Sequence, residues 1–305
     1  MNKYHFINTF PYKNLIFTIK KMKLSNPIQG CMTWGKWGKQ FSKHAYQQQI
    51  DACLTNGVTS FDHADIYGSY STEAEFGEAF SEMKIERNQI QLISKCGIQL
   101  EGPPRNPVVK HYQYNASYII QSVEQSLQHL QTDYLDLFLL HRPSPLMQVD
   151  EIKEAIAQLK QQGKILAFGV SNFSIMEMQL LMKDLQVSCN QIEISLLQSE
   201  TLTNGLLTFM QLHRIQPLAW SPLGSYFNST HAQLQETVRH LSDKYCCNEA
   251  QILLAWLLKH PTKIIPVVGT TQVERMIKAS EANLVHLDEV DWFLLWEKAR
   301  GKQVA

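Results

Sequence analysis

The sequence predicts a single (β/α)8 barrel of the TIM type, an α/β fold in one domain. Short β-branched or aromatic runs alternate with longer stretches of helical periodicity from about Pro27 onward, the pattern of repeated βα units around a parallel sheet. Eight such runs occur, and the 305-residue length fits a closed barrel of ~250 residues with insertions better than an open sheet. No Pro-, Gly- or Ser-rich linker splits the chain at its middle.

Strands are expected at 28–34, 59–65, 89–96, 134–141, 165–171, 190–195, 216–221 and 263–269. Between them, helical periodicity predicts helices at 43–56, 117–130, 151–162 and 174–184, and a pair within 232–259, each long enough to return the chain antiparallel to the strands. The segment 97–114 carries Gly102, Pro103, Pro104 and Pro107 and reads as an insertion after the third strand. At the start, the apolar run 15–19 is interrupted by Thr18 and followed by Lys20 and Lys21, with no small-residue cleavage site, so no signal peptide is read. Met22 could itself be a start. Residues 1–21 therefore read as a dispensable N-terminal extension and 22–305 as the barrel.

Composition narrows the function. The chain has 28 basic and 28 acidic side chains, which argues against nucleic acid or an acidic membrane surface as a partner. Cys31, Cys53, Cys96, Cys189, Cys246 and Cys247 are scattered without a CxxC pair, so neither a zinc site nor a disulfide framework is expected. A reducing, cytoplasmic setting fits. Apolar stretches such as 252–258 fall well short of the ~20 residues that span a bilayer.

In such a barrel the chemistry sits where strands end and βα loops begin. There the sequence reads FDHADIYG (61–68), SKCG (94–97), LLHRP (139–143), GVSNF (169–173), NQIEIS (190–195), AWSPLG (219–224) and VVGTT (267–271). Period-two alternation lets Asp62, Lys95 and His141 each point inward. Ionisable groups aimed into a barrel from three strands are costly unless they pair. Taken singly, Lys95 with Asp62 reads as a structural ion pair, His141 as a satisfied core histidine and Tyr67 as a loop aromatic. At one rim together they read as a site. Trp34, Trp37 and Tyr226 read equally as an aromatic substrate pocket and as core or rim packing.

These motifs, in this order from about Gln29 to Asn283, resemble the aldo-keto reductase superfamily, and most of all its bacterial oxidoreductase branch with the HAD variant of the second-strand motif. The resemblance implies NADPH-dependent reduction of a small-molecule aldehyde or ketone by a tetrad of Asp62, Tyr67, Lys95 and His141, with Tyr67 as general acid. In physical terms, hydride arriving at a carbonyl carbon leaves an alkoxide that needs a proton donor. An adjacent Lys95 ammonium favours the phenolate of such a donor, and Asp62 holds the ammonium.

No GxGxxG fingerprint or P-loop is present. The resemblance instead implies a dinucleotide laid across the rim. Ser171, Asn172 and Gln191 match the carboxamide contacts, Trp220 the nicotinamide stack, and Ser221 and Leu223 neighbouring contacts. Gly269, Thr270 and Thr271 precede a helix, a natural phosphate site, with Arg275 one turn inside it. The chain departs from the family's adenine contacts at Lys278 and Ala279. The segment after Gly224 is short, which implies no long belt over the pyrophosphate. His63 stands where Thr is commoner, and alternation puts it on the face opposite Asp62, which argues against a metal. A rival from another class is an NADPH-binding regulatory or auxiliary subunit with slow turnover. A metal-dependent barrel hydrolase lacks ligand spacing. Oligomeric state is not legible in the sequence.

Overall fold

Strands β1 (Ile28–Gly30), β2 (Ser60–Asp62), β3 (Gln91–Cys96), β4 (Ile98–Gln99), β5 (His111–Tyr112), β6 (Leu135–Leu140), β7 (Ile165–Ser171), β8 (Cys189–Glu193), β9 (Gln216–Trp220) and β10 (Ile265–Val268) are laid out in a computed structural model that describes residues 23–304. The expectation for residues 1–21 lies outside the described residues. Eight of the strands close into a parallel barrel in the order β1-β10-β9-β8-β7-β6-β3-β2, and β4 and β5 form a separate antiparallel hairpin. The (β/α)8 barrel is therefore as expected.

The helices are α1 (Lys43–Thr55), α2 (Tyr67–Tyr70), α3 (Thr72–Ser81), α4 (Ala116–Leu130), α5 (Val149–Gln161), α6 (Ile175–Met182), α7 (Leu206–Leu212), α8 (Ala232–Lys244), α9 (Glu249–Leu258), α10 (Val273–Glu281) and α11 (Glu289–Arg300). Their starts are written locally. Asn115 accepts from the Tyr118 amide at 2.8 Å, and Ser174 with Glu177, and Asn248 with Gln251, form reciprocal capping boxes. No helix of the described residues is long and apolar enough to cross a membrane.

Alternation along the strands separates two apolar layers. Ile28, Ile93, Leu137, Leu139, Cys189, Leu218 and Val267 fill the barrel interior. Phe61, Leu92, Phe138, Leu140 and Phe168 face outward and pack in the larger core beneath the helices, with Ile152, Ile156 and Leu234. Each such side chain contributes roughly 1.5–3 kcal/mol when fully buried.

The observed strands are mostly shorter than the apolar runs suggest. The run 28–34 pairs only over Ile28–Gly30, because the chain then turns, with Trp34 N–H donating to the Cys31 carbonyl at 3.1 Å. Residues at the outer strand ends belong to the βα loops. Sequence periodicity did not mark α11, whose run Trp292–Trp296 is apolar on all sides, nor the four-residue α2, where Gly68 and Ser69 have non-helical, positive φ.

The segment 97–114 is tied to the barrel at two points. Arg105 Nη1 lies 3.2 Å from Asp65 Oδ2, and its guanidinium sits 4.3 Å from the Tyr70 ring centroid. Tyr114 packs against Gly97, where a Cβ would come within 2.2 Å of the phenol ring and where φ is +119°. Only glycine suits both demands.

Behind β3, outside the barrel, Glu73 is buried and accepts from Ser94 Oγ at 2.5 Å, with Ser126 beside it. Burial pushes its carboxyl up to about 7, with the Asp65 charge adding and Ser94 opposing. A raised native value favours the fold where both states hold the proton, below about 4.5, and that contribution is lost as pH climbs through about 7. Glu73→Gln keeps an acceptor for Ser94 and removes the titration. Thermal melts at pH 5 and pH 8 are expected to show the variant gaining a few degrees relative to wild type at the higher pH; a gap independent of pH would contradict this account.

Candidate active site

Parallel register brings the inward polar side chains to one rim. Asp62 on β2 stands level with Gly30 and Ile93, and Lys95 on β3 level with Leu139, so Lys95 lies one inward step beyond Ile93 and His141 one beyond Leu139. Lys95 is fully buried and its three donors are all directed: Nζ lies 2.8 Å from Asp62 Oδ2, 2.7 Å from the His63 carbonyl and 3.1 Å from Tyr67 Oη. Gln191 on β8 donates from Nε2 to the second Asp62 oxygen at 2.9 Å. Both carboxylate oxygens are thus engaged, as a buried charge requires.

Tyr67 opens α2 and its ring lies 6.1 Å from that of His141, edge on. Burial pushes the phenol above its ordinary range, and this outweighs the downward pull of Lys95. The expected phenolate stabilisation is therefore present but does not dominate, and Tyr67 is a neutral hydrogen-bond donor at pH 7. Burial also acts against the Lys95 ammonium, but Asp62 and Tyr67 carry it above its usual value. His141 is held well below the usual imidazole range by burial, reinforced by Lys95, Arg142 and Lys110, so its ring is neutral. His63 points to the other face, its ring 4.6 Å from Phe76, and burial lowers it to about 3.

A second chain of bonds crosses the rim. Ser171 Oγ donates to the Gln191 carbonyl at 3.0 Å, Asn172 Nδ2 to Ser171 Oγ at 2.8 Å, and Trp220 Nε1 to Asn172 Oδ1 at 2.9 Å. Asn172 and Ser221 hold positive φ of 61° and 48° as the chain leaves β7 and β9. Leu223 is half-buried against the outer core.

The loop after β10 is held by its carbonyls. Thr33 Oγ1 donates to Gly269 O at 3.2 Å, Gln29 Nε2 to Thr270 O at 3.0 Å, and Gln49 Nε2 to Thr271 O at 3.2 Å. The Thr270 and Thr271 amides have no protein acceptor among the described residues. They are left available to an anion at the start of α10, with Arg275 exposed in its first turn. Lys278 is paired with Glu281 at 2.9 Å.

The pocket expectation needs correction at two residues. Trp34 is fully buried among Phe41, Tyr46, Phe61 and Phe76, and its Nε1 reaches the Thr270 carbonyl at 3.4 Å. It supports the loop after β10 and lines no pocket. Tyr226 is 1% exposed, packed in the outer core. Both large rings are drawn under the helices by their apolar area. Trp37, 40% exposed and 6.2 Å from the Tyr67 ring, is the aromatic that stands beside the site. Sequence reading missed Gln29 and Gln49 as loop supports, although a glutamine between Ile28 and Gly30 in a barrel strand was a usable signal.

Because Lys95 and Asp62 are buried together, their losses should not add. Lys95→Met alone strands the Asp62 carboxylate and is expected to cost roughly 3–5 kcal/mol. Combining it with Asp62→Asn should recover about 1–3 kcal/mol, measured as a coupling energy by urea unfolding of both single variants and the double variant. Strict additivity would contradict the pairing.

Comparison with known proteins identifies the family. The family model described as the aldo/keto reductase family matches residues 28–298. The chain is 39% identical over 290 residues to a 6-dehydroglucose reductase of Agrobacterium fabrum, covering 93% of this chain and 97% of that protein. It is 39% identical over 261 residues to the oxidoreductase YdhF of Escherichia coli, covering 84% and 87% of the two chains. Among solved structures, an aldo/keto reductase from Klebsiella pneumoniae in complex with NADP and acetate superimposes with a TM-score of 0.77 at 23% identity, covering 92% of this chain and 93% of that one. The matched span contains β1 to β10 and the whole Lys95-centred cluster, and on these grounds the chain belongs to the aldo/keto reductase family.

Proposed function

We infer that the protein reduces a small aldehyde or ketone to the alcohol, using NADPH, with Tyr67 as the general acid. The observation that carries the reading is the three-way placement of Lys95 Nζ, bonded at once to Asp62 and to Tyr67 Oη at the open end of the barrel. The names of the 6-dehydroglucose reductase relative and of the NADP-bound structural neighbour support it.

The dinucleotide fits the residues present. Ser171, Asn172 and Gln191 would hold its carboxamide and Trp220 its nicotinamide, with Ser221 and Leu223 as neighbouring contacts. Gly269, Thr270 and Thr271 would hold phosphate through the free amides, and Arg275 the 2′-phosphate. When bound, NADPH supplies the reducing equivalent to the carbonyl carbon.

The chain's own groups then answer for the oxygen. Neutral Tyr67 donates its proton to the oxygen as negative charge develops there. Lys95, fixed by Asp62 and the His63 carbonyl, stabilises the phenolate left behind, and the tyrosine's raised resting value keeps the proton in place until then. Neutral His141 supplies an orienting hydrogen bond without competing as a charged acid.

Two experiments test this reading. Tyr67→Phe is expected to lose on the order of 10²-fold or more in turnover, followed by NADPH oxidation, while NADPH still quenches tryptophan fluorescence. Undiminished turnover would overturn the role of Tyr67. Arg275→Ala is expected to weaken NADPH about ten- to a hundredfold, as for one lost charge-assisted bond, and to leave NADH nearly unaffected. An equal loss for both cofactors would overturn the reading of the loop before α10.

A further inference from the structure

The cation beside the catalytic histidine position is not accounted for by the reduction of a simple carbonyl. Arg142 follows His141 directly at the mouth of β6. Its peptide is clamped on both sides by one side chain: the Arg142 N–H donates to Tyr114 Oη at 3.1 Å, and Tyr114 Oη donates to the Arg142 carbonyl at 2.5 Å. Tyr114 is in turn seated against Gly97, so the segment 97–114 fixes where Arg142 stands.

The side chain is free where the backbone is not. Its guanidinium carbon lies 5.3 Å from the Trp220 ring centroid, a cation–π contact that keeps the planar head over the rim. Among the described residues, no ion pair includes Arg142 and its guanidinium donates no hydrogen bond. Glu193 stands level with Trp220 in the strand register and still forms no ion pair with it. Lys95 differs in this respect, since Asp62 answers its charge. Lys110, from the insertion, adds a second exposed cation that acts on His141 through space. In a chain of zero formal charge, the mouth near His141 therefore carries local positive charge with no counter-ion among the described residues.

We propose that Arg142 is a specificity-determining residue that binds a carboxylate on the carbonyl substrate, so that the preferred substrates are aldehydes or ketones bearing an acid group. A half-buried guanidinium whose donors are unused among the described residues is suited to a planar, two-oxygen anion, which it can bond through two parallel N–H groups. Its place next to His141 would put the carbonyl end of such a substrate at Tyr67 and the acid end towards Arg142. This inference rests on the reductase reading above.

The test compares succinic semialdehyde with its uncharged methyl ester, using NADPH and the full-length protein, for wild type, Arg142→Gln and Arg142→Lys. Wild type is expected to favour the acid in kcat/KM. Arg142→Gln should lower the acid-to-ester ratio by about ten- to a hundredfold, chiefly through KM for the acid, as for one or two charge-assisted bonds lost. Arg142→Lys should retain part of the preference, since it keeps charge and loses the fork. The Tyr114 clamp holds the backbone and not the side chain, so both variants should fold, which circular dichroism melts check. An acid-to-ester ratio that is the same in wild type and Arg142→Gln overturns the proposal while leaving the reductase reading intact. A tenfold loss of NADPH binding in Arg142→Gln with an unchanged ratio assigns Arg142 to the cofactor and also overturns it. No NADPH oxidation by wild type with these or any other aldehydes and ketones overturns the reductase reading, and this one with it.

Discussion

A lysine with no solvent exposure at the end of a β-barrel is the constraint around which the rest of the site is arranged. Removing an ammonium from water costs several kcal/mol even after relaxation, and attraction to one carboxylate offsets that only when all remaining donors and acceptors are filled. Here Lys95 uses Asp62, the His63 carbonyl and Tyr67, and Asp62 uses Gln191 as well. These partners come from β2, the turn after it, α2 and β8, so the ion pair is sound only when opposite sides of the barrel have closed on it. Stability and chemistry thus depend on the same contacts. In the proposed reaction, the tyrosine that completes the lysine's coordination is also the group that gives the proton.

The electrostatics of the two faces of β3 contrast. Lys95 points inward and remains charged, because its counter-ion is at contact distance. Ser94 points outward to Glu73, whose carboxyl is raised towards neutrality by burial, with the Asp65 charge adding and the Ser94 hydroxyl opposing. Adjacent residues on one strand therefore sit in opposite regimes, set by which partner the neighbouring element presents. The same principle separates His63 and His141. Both are neutral by burial, but His63 lies against Phe76 in the apolar layer, whereas His141 lies beside Tyr67 at the open end.

In the proposed function, the loop after β10 is how a barrel without a glycine fingerprint presents an anion site. Side chains from β1 and α1 and the loop between them take its carbonyls, which fixes the loop with its amides outward at the start of α10. The supports lie more than two hundred residues away in sequence, and Trp34 is one of them, a core side chain whose indole N–H serves the rim.

Much of this is legible in the sequence alone. Repeated βα alternation predicted the barrel, and period-two alternation put Asp62, Lys95 and His141 inward and His63 outward, because a strand's side-chain directions follow from its backbone alone. What alternation cannot convey is distance across the barrel or depth beneath a helix. Gln191 meeting Asp62, Tyr114 gripping Arg142 and Trp34 or Tyr226 sinking into the outer core all depend on which elements become neighbours. Protonation was likewise beyond reach, since the sequence named Lys95 as a partner for Tyr67 but could not weigh that attraction against burial. Local pattern decides the direction of a side chain; desolvation and long-range contact, which exist only after the chain has closed on itself, decide its charge and its company.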